Sequence, residues 1–151
     1  MRRSTVAQVT ATQSIDINVT PAQAAAALAD YATVRPAILP QQYRDYRVVE
    51  GGQGAGTVVE WTLQATEKRV RKIKATVAVG ADGTVTETDA NSSMVTVYQI
   101  TSSGSGSRVT TTTSWQGAGG ISGFFEKTFA PKGLGRIQLA LLTNLKTRLE
   151  G

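Results

Sequence analysis

The residues with useful acid–base or ion-binding chemistry are scattered along this chain rather than gathered in one motif. Histidine and cysteine are both absent from its 151 residues, which excludes thiol nucleophiles, Ser-His-Asp triads and Cys/His metal sites. Proton transfer would have to use Asp, Glu, Lys or Tyr. The catalytic candidates are Tyr98, Arg71 and Glu126. No two ionisable groups are placed by the sequence on one inner surface, which favours binding over catalysis, and neither a metal site nor a cofactor is predicted.

Arg71 belongs to the basic cluster Lys68–Lys74, which has five cations in seven residues. The simplest interpretation is a solvated hairpin with Lys72 and Lys74 pointing outward; an acidic partner or an anionic lipid headgroup is the alternative. Arg71 shares the parity of Ile73, so an inward guanidinium could hold a ligand carboxylate in a bidentate manner. No aromatic residue interleaves the cluster, which speaks against a nucleic-acid partner.

Gly52, Gly54 and Gly56 stand at alternate positions and superficially resemble a phosphate-binding loop. Such a loop needs a helix directly after the glycines, and here the strand-like residues 57–61 follow instead. We therefore expect a flexible loop at the rim of a cavity.

The order of elements indicates how these residues are positioned. Thr20, Pro21 and Gln23 combine an N-cap, a first-turn proline and a capping-box glutamine, so a short Ala-rich helix should follow a strand within residues 6–19. A second short helix is predicted over residues 31–39. The remainder alternates as an antiparallel meander with predicted strands at 43–50, 56–65, 69–79, 84–88, 94–101 and 107–115.

A long amphipathic helix is predicted from about residue 122 to residue 149. Its apolar side chains fall within roughly 100° of arc, and only a sheet can cover them. Pro131, Gly133 and Gly135 interrupt its early turns, which indicates either a gate or a bend around the curved sheet. The apolar stripe consists of Ala130, Leu134, Ile137, Leu141, Leu145 and Leu149.

The predicted inner faces of the strands contain Thr, Tyr and Trp as well as aliphatic residues, and this is more typical of a ligand cavity than of a packed core. The predicted cavity residues are Trp61, Leu63, Ile73, Met94, Thr96, Tyr98, Thr111, Thr113, Trp115, Phe125, Leu134 and Ile137.

With this order of elements the chain resembles the START/Bet v 1-like (SRPBCC, helix-grip) superfamily, in particular its bacterial polyketide cyclase/dehydrase-like and lipid-transport-like branch. Three segments carry the resemblance: SIDINVTPAQ at 14–23, VEGGQGAGT at 49–57 and FFEKTFAP at 124–131. It implies one α+β domain over residues 1–151. A curved antiparallel sheet of about seven strands would wrap a long C-terminal helix, with two short helices between strands 1 and 2.

The function expected from the resemblance and the inner faces is binding or carriage of a small hydrophobic ligand such as a lipid, polyketide or isoprenoid. A polyketide cyclase/dehydratase is the alternative, and an interaction module that uses the basic face is a second one. No stretch approaches the roughly 20 apolar residues of a membrane span. We therefore expect a cytoplasmic protein without integral membrane association, and a monomer as the oligomeric state.

Overall fold

The computed structural model describes residues 8–64, 70–116 and 130–151. The predicted order of strand, two short helices, six strands and long helix is confirmed. The elements are β1 (Gln8–Ile17), α1 (Pro21–Leu28), α2 (Val34–Ile38), β2 (Tyr43–Glu50), β3 (Val58–Gln64), β4 (Val70–Val79), β5 (Val85–Asp89), β6 (Val95–Ser103), β7 (Gly106–Gln116) and α3 (Ala130–Glu150).

The strands form one curved sheet in the order β1-β7-β6-β5-β4-β3-β2, and every neighbouring pair is antiparallel. Strands β2 to β7 follow each other as a meander, and β1 joins the far side of β7. The sheet therefore has two edges, β1 and β2. The helix-grip fold predicted from the sequence is confirmed.

The start of α1 follows the predicted capping box. The Thr20 hydroxyl accepts a hydrogen bond from the Gln23 amide at 3.1 Å, and the Gln23 side-chain oxygen accepts one from the Thr20 amide at 2.9 Å. Pro21 occupies the first helical turn, where its missing N–H costs nothing. Ala24, Ala27 and Leu28 are buried, so small side chains bring α1 close to the sheet.

Helix α3 covers the inner face of the sheet with the predicted apolar stripe. Leu134, Ile137, Leu141 and Leu145 are buried, and Leu142, which was predicted on the flank of the stripe, is also fully buried. Each such side chain contributes about 1.5–3 kcal/mol through removal from water. The described part of the helix begins at Ala130; the predicted turns before it lie outside the described residues.

Strand β2 is irregular. Its register with β3 shifts between Arg44 and Arg47 and again between Val48 and Glu50. Asp45 has a φ of 54°, a left-handed conformation that non-glycine residues rarely adopt. The edge of the sheet is therefore bulged here, and its outward side chains are charged.

Candidate functional site

The inner face of the sheet and α3 enclose a cavity of about 30 Å³. Aromatic and aliphatic side chains make up most of its wall, with a few polar groups between them. The lining residues are Tyr43, Trp61, Leu63, Glu87, Met94, Thr96, Tyr98, Thr111, Thr113, Leu134, Gln138 and Leu141.

Most of the cavity residues predicted from the sequence line this cavity. The exceptions are Ile73, Trp115 and Ile137, which are buried in the protein but are not among its lining residues. Inward parity alone does not distinguish residues beneath the cavity from those packed beside it. Phe125 lies outside the described residues.

Four lining residues were not predicted from the sequence: Tyr43, Glu87, Gln138 and Leu141. The inward position of Glu87 could have been predicted from its parity, because it lies two residues from Val85, which is fully buried in β5. The position of Gln138 could also have been predicted, because it lies on the flank of the apolar stripe of α3. Tyr43 had no comparable signal, since β2 does not alternate regularly.

A row of polar side chains crosses the cavity wall. Glu87 pairs with Thr96 in the β5–β6 register, and Thr96 pairs with Thr113 in the β6–β7 register. The Thr96 and Thr113 hydroxyls are 2.9 Å apart and share a hydrogen bond. From α3, Gln138 Nε2 donates to Thr113 Oγ1 at 3.2 Å and to the carbonyl of Ala11 at 3.1 Å. The row joins three strands to the helix.

Some buried polar atoms of the lining residues have no hydrogen-bond partner among the residues that the structure describes. They are Trp61 Nε1 and Gln138 Oε1. Buried polar groups are normally paired, because leaving one unpaired costs about 1–3 kcal/mol. These atoms offer hydrogen bonds to a molecule with polar groups of its own.

Glu87 is held from behind the cavity wall by an ion pair with Arg35 of α2. The side chains of Arg35 and Glu87 are only 3% and 6% exposed. Glu87 Oε2 accepts from an Arg35 guanidinium nitrogen and from the Tyr31 hydroxyl, the latter at 2.6 Å. Arg35 Nη2 donates to the carbonyl of Leu28 at 3.0 Å.

Aromatic rings complete the surroundings of this ion pair. The Arg35 guanidinium lies 4.2 Å from the ring centroid of Tyr31 and 5.0 Å from that of Tyr98, within the range of cation–π attraction. Burial raises the pKa of Tyr31, Tyr43 and Tyr98 well above the ordinary value. These phenols therefore stay protonated and can donate hydrogen bonds at neutral pH.

Two of the three catalytic candidates lie in the part of the chain that the structure describes. Tyr98 lines the cavity, and Arg71 is half-buried on the inner face of β4, opposite Leu63 of β3. Arg71 is not among the lining residues of the cavity. Glu126 lies outside the described residues.

The glycine loop lies against the connection between α1 and α2 rather than on the cavity wall. The carbonyl of Gly52 accepts hydrogen bonds from the amides of Tyr31 at 2.9 Å and Ala32 at 3.1 Å, and the Gly54 amide donates to the carbonyl of Ala29 at 2.8 Å. Gly52, Gly54 and Gly56 are not among the lining residues of the cavity, and their place at its rim stays a prediction. Their φ values are 132°, 69° and 87°. Glycine adopts such positive values more readily than any other residue, which explains why glycine occupies these positions.

The basic cluster is outward-facing where the structure describes it. Lys72 and Lys74 are exposed, on the opposite face of β4 from Ile73, as the alternation predicts. They border a groove of about 440 Å³ together with Arg47 and Glu60, which form an ion pair at 2.8 Å. Whether this face has a partner stays a prediction.

The described residues contain no group of three or more acidic side chains that could hold a metal ion. Within the same ranges, none of the helices has the length and apolar character that a membrane crossing needs.

Three solved structures show where this architecture occurs. The NMR solution structure of the KanY protein (ms6282) is 56% identical in sequence with a TM-score of 0.88, and the match covers 96% of this chain and 99% of that one. TTHA0849 from Thermus thermophilus is 17% identical with a TM-score of 0.72, over 95% of this chain and 97% of that one.

The Zhui aromatase/cyclase from Streptomyces sp. R1128 is 13% identical with a TM-score of 0.71, and the match covers 95% of this chain and 94% of that chain. At these lower identities the likeness shows the fold alone. A comparison with curated proteins gave no match.

The family comparison covers nearly the whole chain. Residues 8–150 match the family described as "Polyketide cyclase / dehydrase and lipid transport". The match includes every described element of the sheet and the closing helix. This chain belongs to the polyketide cyclase/dehydrase and lipid transport family.

Proposed function

We propose that this protein binds a small, mostly apolar molecule between the inner face of the sheet and α3. The observation that carries the proposal is the composition of the cavity wall. Trp61, Leu63, Met94 and Leu134 provide apolar surface, while polar atoms without a partner among the described residues, such as Gln138 Oε1, lie among them. Apolar walls with a few placed polar groups are typical of small-molecule sites.

The volume of the cavity sets a condition on this proposal. About 30 Å³ has room for roughly two water molecules, whereas pockets for drug-sized ligands measure about 300–1,000 Å³. Binding therefore requires part of the wall to move outward. Helix α3 is the best candidate, because Leu134, Gln138 and Leu141 reach the cavity from it.

The first half of α3 is suited to such a movement. Gly133 and Gly135 are both buried there, and glycines weaken a helix by about 1 kcal/mol each relative to alanine. The second half is held more firmly, with Leu142 and Leu145 fully buried and Asn144 Nδ2 donating to the Ile38 carbonyl at 3.0 Å.

The test uses the two tryptophans, of which Trp61 lines the cavity and Trp115 is buried outside its lining. The protein is titrated with fatty acids, flavonoids and polyketide-like aromatic compounds while both indole N–H signals are followed by NMR. We expect at least one compound to bind with micromolar affinity and to shift the Trp61 signal more than that of Trp115. Trp61→Phe assigns the signals.

Two outcomes of this titration would contradict ligand binding in the cavity. If no compound shifts either signal at millimolar concentration, or if only exposed residues of the outer sheet face respond, the cavity is a packed interior and the proposal is wrong. Native mass spectrometry of protein purified from its own host provides an independent check, because a retained ligand would add its mass.

A polyketide cyclase or dehydratase is the second candidate. Glu87 and Tyr98 both border the cavity, so a carboxylate and a protonated phenol would face the same ligand, and this arrangement can hold or move a proton. Incubation with a poly-β-carbonyl thioester tests this candidate. Faster cyclisation or dehydration than in buffer, reduced by Tyr98→Phe, supports it; a rate equal to that in buffer excludes it for this substrate class.

A further inference from the structure

The cavity wall presents a negative charge without an accompanying positive one. Glu87 is the single carboxylic acid among the lining residues that the structure describes, and neither Lys nor Arg occurs among them. Because arginine keeps its proton in proteins, the contact between Arg35 and Glu87 is an ion pair. The Glu87 carboxylate is then purely a hydrogen-bond acceptor.

The positive charge of Arg35 is used on the far side of the wall. Its guanidinium contacts Glu87, the carbonyl of Leu28 and the rings of Tyr31 and Tyr98, and it does not line the cavity. A ligand anion in the cavity would therefore meet the carboxylate first. Both charges would be removed from water, and this strongly disfavours two like charges.

A second acceptor lies on the opposite wall. Gln138 Nε2 donates to the carbonyl of Ala11, which can only accept, so the orientation of the amide is fixed. Gln138 Oε1 is thereby left as a buried acceptor with no partner among the described residues. Glu87 on the sheet and Gln138 on α3 thus both favour a donor group on the ligand.

We propose that the cavity selects a neutral aromatic or aliphatic molecule with a hydroxyl group, whose O–H donates to Glu87 or Gln138, and that it rejects ligands with a free carboxylate. This inference deepens the proposed function and rests on it. The rings of Tyr43, Trp61 and Tyr98 in the wall favour flat aromatic members of this class, because aromatic pairs stack or meet edge to face.

The inference is tested with three probes of one shape: 2-naphthol, naphthalene and 2-naphthoate, each titrated into the full chain at neutral pH and followed by NMR. A hydrogen bond to a charged group corresponds to about tenfold or more in affinity. We expect 2-naphthol to bind at least about tenfold more tightly than naphthalene, and 2-naphthoate to bind most weakly.

A variant with an uncharged wall provides the matched comparison. Glu87→Gln alone would leave Arg35 buried without its partner, so the better variant is Tyr31→Phe/Arg35→Met/Glu87→Leu, in which the whole cluster becomes apolar. Replacing a buried ion pair by apolar residues of similar volume is often neutral for stability. In this triple variant the preference for 2-naphthol over naphthalene should fall several-fold. The affinity for 2-naphthoate should be higher than that of the wild-type protein.

The two proposals fail in different ways. If none of the three probes shifts the cavity signals while a compound of the wider panel does, the selectivity is wrong; if no compound of either set does, ligand binding itself is wrong. If all three bind and 2-naphthoate equals or exceeds 2-naphthol, the selectivity is wrong and the cavity still binds ligands. Loss of 2-naphthoate binding in Arg71→Gln would then identify the half-buried arginine of β4 as the anion anchor.

Discussion

Arg35 and Glu87 form an ion pair whose side chains are almost wholly buried. Desolvation of two charges opposes such a pair, and only good geometry with additional hydrogen bonds offsets the cost. Here Tyr31 OH and the Leu28 carbonyl supply those bonds. The pair connects α2 to β5, so it fixes the short helices against the sheet next to the cavity.

Removing one partner should be far worse than removing the cluster. We expect Arg35→Met to lower the free energy of unfolding by about 3–5 kcal/mol, because Glu87 is left as a buried unpaired charge. The triple variant Tyr31→Phe/Arg35→Met/Glu87→Leu should recover most of this loss. Urea unfolding followed by circular dichroism measures both values; a triple variant no more stable than Arg35→Met would show that packing, and not charge, dominates the site.

The tyrosines make a second prediction at this scale. The sequence contains four, Tyr31, Tyr43, Tyr46 and Tyr98, and burial raises the pKa of each above its ordinary value. In a spectrophotometric titration of the folded protein we expect no tyrosinate absorbance near pH 10. The same chain in concentrated urea should titrate there normally. If one tyrosine of the folded protein ionised near pH 10, its hydroxyl would be exposed to water and the prediction would be wrong.

The sequence predicted single residues unevenly. Trp61, Thr111 and Thr113 could be placed on the inner face because burial alternates regularly in β3 and β7. Thr96 and Tyr98 belong to β6, where burial alternates less regularly. Arg35 was not found, since a five-residue helix is too short for a periodic signal. Its role depends on Glu87, which is 52 residues away in the chain, and such a pairing becomes visible only when the sheet is assembled.

At the scale of elements, α3 is the closing wall of the interior. Leu145→Ala should lower the free energy of unfolding by about 2–5 kcal/mol, because the fully buried side chain leaves a cavity. Leu139→Ala is the matched control in the same helix: Leu139 is 42% exposed, and a change within about 0.5 kcal/mol is expected. Equal losses at the two positions would contradict the packing of α3 described above.

The glycines of α3 test the movement that ligand entry requires. A Cβ at residue 135 would lie 3.0 Å from Nε2 of Gln13, the end of a flexible side chain that can shift. We expect Gly133→Ala/Gly135→Ala to stiffen the helix and to slow association and dissociation of 2-naphthol several-fold, with a smaller change in affinity. Stopped-flow fluorescence measures both rates. Unchanged rates would exclude this half of α3 as the entry route.

Elements were predicted best where local chemistry is sufficient. The capping box fixed the start of α1, and the alternation of β3, β4 and β7 gave their faces. The hydrogen-bond partners of the glycine loop, Ala29, Tyr31 and Ala32, were not predicted, because they come from the connection between the short helices. The positive φ values were foreseeable from the glycines, but the surface against which the loop packs depends on long-range assembly.

For the whole molecule, the raised tyrosine pKa values predict a loss of stability in alkali. Above about pH 10 the unfolded chain releases its phenolic protons while the folded chain keeps them, so the folded state binds more protons and stability falls as pH rises. Below about pH 10 both states are protonated and the contribution is constant. Above about pH 10, each tyrosine that stays protonated in the folded state lowers the free energy of unfolding by about 1.4 kcal/mol per pH unit. Urea midpoints measured from about pH 8 to pH 11 check this; a flat profile would contradict it.

An open antiparallel sheet has two border strands, and both are protected here against strand addition by a neighbouring molecule. On β1, helix α3 lies along the strand, and its side chains Gln138 and Lys146 donate to the carbonyls of Ala11 and Asp16. On β2, two register shifts and the left-handed Asp45 break the straight row of backbone groups that a foreign strand would need. The features that close the interior thus also protect the molecule from edge-to-edge aggregation and amyloid growth.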